Sequence, residues 1–238
     1  MFVVCVLTSA TGATSLLTVP LMIQFGVEPR MAIATNMALL VLMNGGSSLG
    51  FHGEDPGCRR RLWRLVAITV AGSAGGAWLM LLLPSSALRI IVPGAMLAVL
   101  AFLLVSPRHH GEPPAPPQWR LRAGYVAALA LAVYGGFFSG GYVTMLVATF
   151  TFFFGYTFLR SIALARLMSL ASSMMAALIF ALHGAINWPL GGILGAVAFA
   201  GAFIGARFAR RLPEVWLRRV FTSAVAILAI KSLIFDWR

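Results

Sequence analysis

Between Arg122 and Arg160 the chain runs through residues 123–159, 37 in all, without one charged side chain. As a single straight helix that interval would be about 55 Å long, at ~1.5 Å per residue. A bilayer's hydrocarbon core is only roughly 30 Å thick. The segment must therefore bend or turn within a membrane, and Gly135-Gly136 and Ser139-Gly140-Gly141 mark the place. Five further charge-free intervals cover 1–27, 31–53, 65–88, 90–107 and 167–206. Each exceeds or approaches the ~20 residues a helix needs to cross. Charged residues make up only 10 % of the chain and hydrophobic ones 60 %, whereas a soluble domain carries about 25 % charged residues. The fold class this implies is an all-α polytopic membrane protein.

The net charge of +12 would point to nucleic acid in a soluble protein. Here seventeen of the eighteen basic residues lie in or beside the connections between apolar elements, where they set orientation and meet anionic headgroups. Membrane lipids, and not nucleic acid, are the expected partners. Cys5 sits in an apolar segment and Cys58 in a basic loop, which argues against a disulfide and offers no metal spacing. No cofactor is expected. The first apolar segment lacks a basic n-region and reads as part of the mature fold.

Apolar elements are expected at about 2–25, 29–51, 62–83, 86–106, 121–154, 157–182, 188–209 and 213–235. One stretch reads as a linker, SPRHHGEPPAPPQW over 106–119, whose prolines favour extended backbone. The chain thus divides into a first membrane repeat over 1–106, a Pro-rich linker over 107–120 and a second repeat over 121–238. The two halves match at a constant offset of 129. Gly12 pairs with Gly141, Phe25-Gly26 with Phe154-Gly155, Gly72 with Gly201, Gly76-Ala77 with Gly205-Ala206, Leu83-Pro84 with Leu212-Pro213, and Leu88-Arg89 with Leu217-Arg218. One ungapped offset means an internal duplication of about four apolar elements, a frequent signature of secondary transporters.

Topology follows from the basic residues. Eight single crossings would split them almost evenly between the two sides. If the first element of each repeat is instead a broken helix or hairpin returning to its own side, the halves are inverted. Arg59, Arg60, Arg61, Arg64, Arg108, Arg120, Arg122, Arg160, Arg207, Arg210, Arg211, Arg218 and Arg219 then share one side. Arg30, Arg89, Lys231 and Arg238 occupy the other, as the positive-inside bias requires. The inverted arrangement is preferred, in a cell inner (plasma) membrane.

Backbone broken at membrane depth survives only where protein packs it or a wet cavity bathes it. The helix leaving such a break presents free amides and the positive end of its dipole, an anion site in waiting. The candidates are Thr11, Gly12, Thr14 and Ser15 in the first half and Ser139, Gly140, Gly141 and Thr144 in the second. Close helix packing is the competing role for such small residues. Arg166 is the one formal charge deep in an apolar segment, with Ser169 and Ser173 following on the same face. Snorkelling to the interface is its alternative. Asn36, Asn44 and Ser47 form a second stripe, for which interhelical hydrogen bonding competes with substrate contact. None of the six carboxylates falls mid-segment, so a cation site would lack ligands and an anion is the expected cargo.

At these residues the chain resembles the sulfite exporter TauE/SafE family. The stretches that carry the likeness are LLTVPLMIQFGVEPRMAIATNMALL over 16–40, GYTFLRSIALARLMSLASSMMAALIFALHGAINW over 155–188 and GAFIGARFARRLPEVWLRRVF over 201–221. The family's first break is usually a run of glycines; here it is Ala10-Thr11-Gly12-Ala13-Thr14. Arg166 matches a position commonly basic in the family, and Ser173 one that is often Asn. The resemblance implies export of sulfite or a small organosulfur anion by a non-enzymatic transporter, with a homodimer as a candidate assembly. A transporter of another small anion (thiosulfate, sulfate or a carboxylate) is the alternative, and a membrane enzyme acting on lipid phosphate a more distant one.

Overall fold

A computed structural model describes residues 14–50, 59–88 and 117–209, with 91 and 94. Seven helices organise them: α1 Ser15–Gln24, α2 Pro29–Gly50, α3 Arg59–Leu82, α4 Gln118–Phe137, α5 Tyr142–Phe154, α6 Phe158–Leu182 and α7 Trp188–Ala209. Most of 86–106, the linker over 107–116 and the last expected element, 213–235, lie outside the described residues. Helices α3 (from Arg60) and α6 are long and apolar enough to cross a membrane. By contrast α1, with 10 residues, and α5, with 13, are about 15 and 20 Å long, short of a full crossing.

The long uncharged interval does turn. Helix α4 ends at Phe137, the chain passes through an extended Phe138 and a left-handed Gly141 (φ 73°), and α5 sets off from there. The two helices pack together as an antiparallel hairpin. Arg120 in the first turn of α4 donates to the carbonyl of Phe152 near the end of α5, and its guanidinium lies 4.7 Å from that ring's centre. Tyr125 meets Phe154 edge-on at 5.3 Å. A left-handed Gly155 then releases the chain into α6, as a left-handed Gly26 does between α1 and α2.

Contacts at the helix ends fix their directions. Arg61 at the start of α3 donates to the Tyr156 hydroxyl (3.2 Å), and Arg160 at the start of α6 stacks over the same ring. The starts of α3, α4 and α6 thus share one basic end with the close of α5. At the other end, Arg30 of α2 donates to the carbonyl of Leu83 (2.7 Å), Trp78 of α3 meets His183 edge-on, and Thr35 of α2 accepts from the amide of Asn187 ahead of α7. Helices α2 and α7 therefore run opposite to α3 and α6.

The exterior of the molecule is strongly apolar, and its mainly apolar core also encloses polar side chains. Phe25, Leu82, Val126, Leu182 and Ile193 are each more than two-thirds exposed, while Asn36, Asn44, Ser47, Ser73, Ser161 and Arg166 are buried to 1 % or less. Apolar side chains outside and hydrogen-bonding ones inside suit a lipid surround. This is a multi-pass membrane protein.

Small residues let α3 and α4 approach closely. A Cβ added at Gly76 would run into the backbone of Val133, and one at Gly136 into the backbone of Ser73. Its neighbour Gly75 faces open space. Gly76→Ala should therefore destabilise the protein by about 1–3 kcal/mol through overpacking, whereas Gly75→Ala should be neutral or mildly stabilising through helix propensity. Thermal melts of the two purified variants check this pair; equal midpoints would contradict the close approach.

Candidate functional site

The break between α4 and α5 meets the start of α1 in the interior. Ser15, first residue of α1, and Ser139, in the break, place their hydroxyl oxygens 2.9 Å apart across 124 residues of sequence. Asn36 of α2 joins them, its amide donating to Ser15 Oγ at 3.1 Å and, at a longer 3.5 Å, to Ser139 Oγ. Thr18, one turn along α1, donates to Asn36 Oδ1 at 2.5 Å. All four side chains are at most 6 % exposed, so the cluster is closed as it stands.

Helix α1 begins here and α5 begins three residues after Ser139. Neither has a side-chain cap at its N-cap residue, Thr14 or Gly141. Two helix N-termini, each carrying the positive end of a helix dipole of about half a charge, therefore approach the same hydroxyls. Gly140 accepts from the Tyr134 hydroxyl (2.7 Å), which ties the break back onto α4. Thr144 is buried in the first turn of α5. At Gly141 a side chain would have to adopt the left-handed conformation, so Gly141→Ala should cost about 1–2 kcal/mol. A melt of this variant reads the cost directly, and an unchanged midpoint would mean that the break relaxes freely.

A second cluster lies further along α2. Asn44, eight residues from Asn36 and so about 12 Å along the axis, accepts from Arg166 Nη1 (3.2 Å) and donates to Ser169 Oγ (2.9 Å). Arg166 is fully buried and does not reach the interface. Ser173, on the same stripe of α6, turns its hydroxyl back to the carbonyl of Ser169 (2.7 Å). Ser47 is buried, and its hydroxyl has no hydrogen-bond partner among the described residues. The structure thus brings Ser15, Asn36 and Ser139 together, and separately Asn44, Arg166 and Ser169. Thr11 and Gly12 lie outside the described residues.

A third group escaped sequence reasoning. Ser73 of α3 is 2.6 Å from Ser172 Oγ of α6 and 3.2 Å from the carbonyl of Ala132, and Thr69 donates to Met168 Sδ at 3.4 Å. Tyr142, first residue of α5, is buried beside them. Thr18 was also missed. Its only signal was a hydroxyl three residues from Ser15 on one helical face, and Thr69 and Ser73 carried the same weak signal at a spacing of four.

Comparison with known proteins gives a consistent result. A family model described as Sulfite exporter TauE/SafE matches residues 1–232. A Haemophilus influenzae protein named "Probable membrane transporter protein" is 26 % identical over 175 residues, 73 % of this chain and 68 % of that protein. The Escherichia coli K12 "Probable membrane transporter protein YfcA" is 26 % identical over 177 residues, 72 % of this chain and 64 % of that one. The chain therefore matches about two thirds of the length of these relatives. No solved structure matches it.

Proposed function

The chain belongs to the sulfite exporter TauE/SafE family, and from that premise we propose that it exports sulfite or a small organosulfur anion across the inner membrane. The observation that carries the reading is the meeting of the two broken segments at Ser15, Asn36 and Ser139. Helix N-termini converging on buried hydroxyl and amide groups are suited to a small oxyanion, which would replace hydrogen bonds these side chains now make to each other. Arg166, one fully buried positive charge on the adjoining stripe, adds attraction for an anion in the same interior.

Alternating access between two inverted repeats, 1–106 and 121–238 about a linker over 107–120, is the proposed mechanism. Three features support the duplication. Helix starts Pro29 and Phe158, and Arg59 and Trp188, differ by the same 129 residues as the sequence match. Gly26 and Gly155, at that offset, are both left-handed. Helices paired by it run in opposite senses, α2 against α6 and α3 against α7. An interior-negative potential favours exit of a monoanion by ~2.3 kcal/mol per 100 mV, so export needs no coupled cation.

Reconstitution in liposomes tests this. Charge movement is recorded for sulfite beside thiosulfate, sulfoacetate, sulfate and chloride. A sulfite or sulfonate current above that of protein-free liposomes, reversing with the imposed potential, is the expected result. Currents equal to protein-free controls for every anion would overturn electrogenic transport. A current for thiosulfate, sulfate or chloride alone would replace the cargo.

A further inference from the structure

We propose that the groove between α3 and α4, at the basic end of the molecule, is a binding site for an anionic phospholipid. The lipid phosphate meets Arg64, and an acyl chain lies along Ala67 and Ile68. The proposal needs only that the chain spans a membrane and does not depend on what it carries. The groove is open to the side, with a volume of about 350 Å³, and is lined among the described residues by Arg64, Ala67 and Ile68 of α3 and Tyr125 of α4. That volume falls in the roughly 300–1,000 Å³ range of small-molecule sites. Ala67 is exposed and carries only a methyl group between Arg64 and Ile68, which leaves the hollow. The opposite wall is held in place: Tyr125 meets Phe154 edge-on at 5.3 Å, and Phe154 stacks on Tyr156.

The depth of the groove suits a lipid. Helices α3 and α4 pack side by side and start at the same end, so its walls run from that end toward the bilayer interior. Arg64 lies five residues beyond Arg59, about 7.5 Å along the axis, and Ala67 and Ile68 lie a further ~5–6 Å inward. Trp63 beside Arg64 and Trp119 in the first turn of α4 are both well exposed, as tryptophans at headgroup level are. An arginine at that level lays its apolar stem along hydrocarbon and its guanidinium among phosphates.

Charge identifies the occupant. Arg60 and Arg64 are both exposed and share one face of α3 at a spacing of four. Arg122, also exposed, stands three residues before Tyr125 on α4. Among the described residues the sole carboxylate is Glu28, which accepts from Ser85 at the far end of the molecule. The basic side of a membrane protein faces the cytoplasmic leaflet, where anionic lipids give a negative surface. A free anion would neutralise the arginines and leave the apolar walls of Ala67 and Ile68 uncovered. A zwitterionic lipid would cover those walls and bring a cation among the arginines. A lipid with a net negative headgroup matches both ends.

The test uses the full purified chain in detergent, with phosphatidylglycerol as the probe and phosphatidylcholine of the same acyl chains beside it. Native mass spectrometry over a lipid titration reads the affinities. Wild type should bind phosphatidylglycerol at least about fivefold more tightly than phosphatidylcholine, the effect of one arginine at an anionic surface. Arg64→Gln should lose about fivefold in phosphatidylglycerol affinity. Ala67→Trp alters no charge but fills the groove, and should weaken that lipid by a similar or larger factor. Both positions are exposed, so melting midpoints without lipid should match wild type; Ala67→Leu takes over if the tryptophan variant does not fold. Phosphatidylglycerol held as tightly by either variant as by wild type would mean that surface charge in general retains it, and would overturn the groove. Equal binding of the two lipids by wild type would overturn selectivity for a negative headgroup. Inorganic phosphate competing as strongly as the lipid would make this a free-anion site and overturn the lipid. Flux enters none of these readouts, so failure here and failure of the export reading are told apart.

Discussion

Arg166→Met is expected to weaken anion transport while leaving the protein at least as stable as wild type. Two effects oppose each other in the stability. The methionine leaves Asn44 Oδ1 without the Arg166 donor, a loss of about 1–3 kcal/mol for a buried acceptor. Against it stands the desolvation of a guanidinium that is fully buried, several kcal/mol even after the surroundings relax. Methionine fills much of the same volume with an unbranched, adaptable chain, so the second effect wins. Transport should respond differently, because a unit charge about 12 Å from the proposed anion cluster, at an effective dielectric near 20, still contributes roughly 1 kcal/mol. A fall in sulfite current of about fivefold to tenfold follows. Parallel melts and liposome currents decide: a stable, fully active variant would make Arg166 a packing residue, and an inactive, unfolded one would make the charge part of the fold.

The other large effect is expected at Asn36. Asn36→Asp is nearly isosteric, and the hydroxyls of Ser15, Thr18 and Ser139 can all donate to the new carboxylate. Two helix N-termini would also favour a negative charge there. The variant should fold, since its own side chain supplies the anion the cluster is proposed to bind. For the same reason cargo should be excluded, with flux reduced about a hundredfold or more by like-charge repulsion at contact distance. Ser15→Ala, which removes one hydroxyl and adds no charge, serves as the mild comparison. Wild-type flux through Asn36→Asp would take the anion path away from this cluster.

The sequence carried much of the architecture because the governing constraint is one-dimensional. A 37-residue uncharged interval cannot fit a bilayer as one helix, and the break falls at the Ser139-Gly140-Gly141 run. Which side chains touch is a different matter. Asn36 and Asn44 occupy one stripe of α2, yet their separation of about 12 Å gives them different partners, Ser15 and Ser139 for one and Arg166 and Ser169 for the other. Ser173 shares the Arg166 stripe but bonds its own helix, an option open to any serine in a helix. Thr18 has the same option, with the Thr14 carbonyl at 3.2 Å, and periodicity alone does not reveal that it also reaches Asn36. Tyr142 gave no signal because a tyrosine in an apolar run looks like any interfacial aromatic until its hydroxyl is placed.

The long-range bonds of α2 also bear on how the protein is made. Asn44 finds its partners 122 and 125 residues later in the chain, and Ser15 meets Ser139 after 124. At about 5–20 residues per second, a ribosome needs on the order of ten seconds to bridge that gap. During it the newly inserted first half must hold the Asn44 amide in or beside lipid with those partners still unsynthesised. Such a segment favours staying within the insertion machinery, or under a membrane chaperone, until α6 arrives. Each half produced alone should be short-lived in the cell, and the two halves produced together should rescue one another.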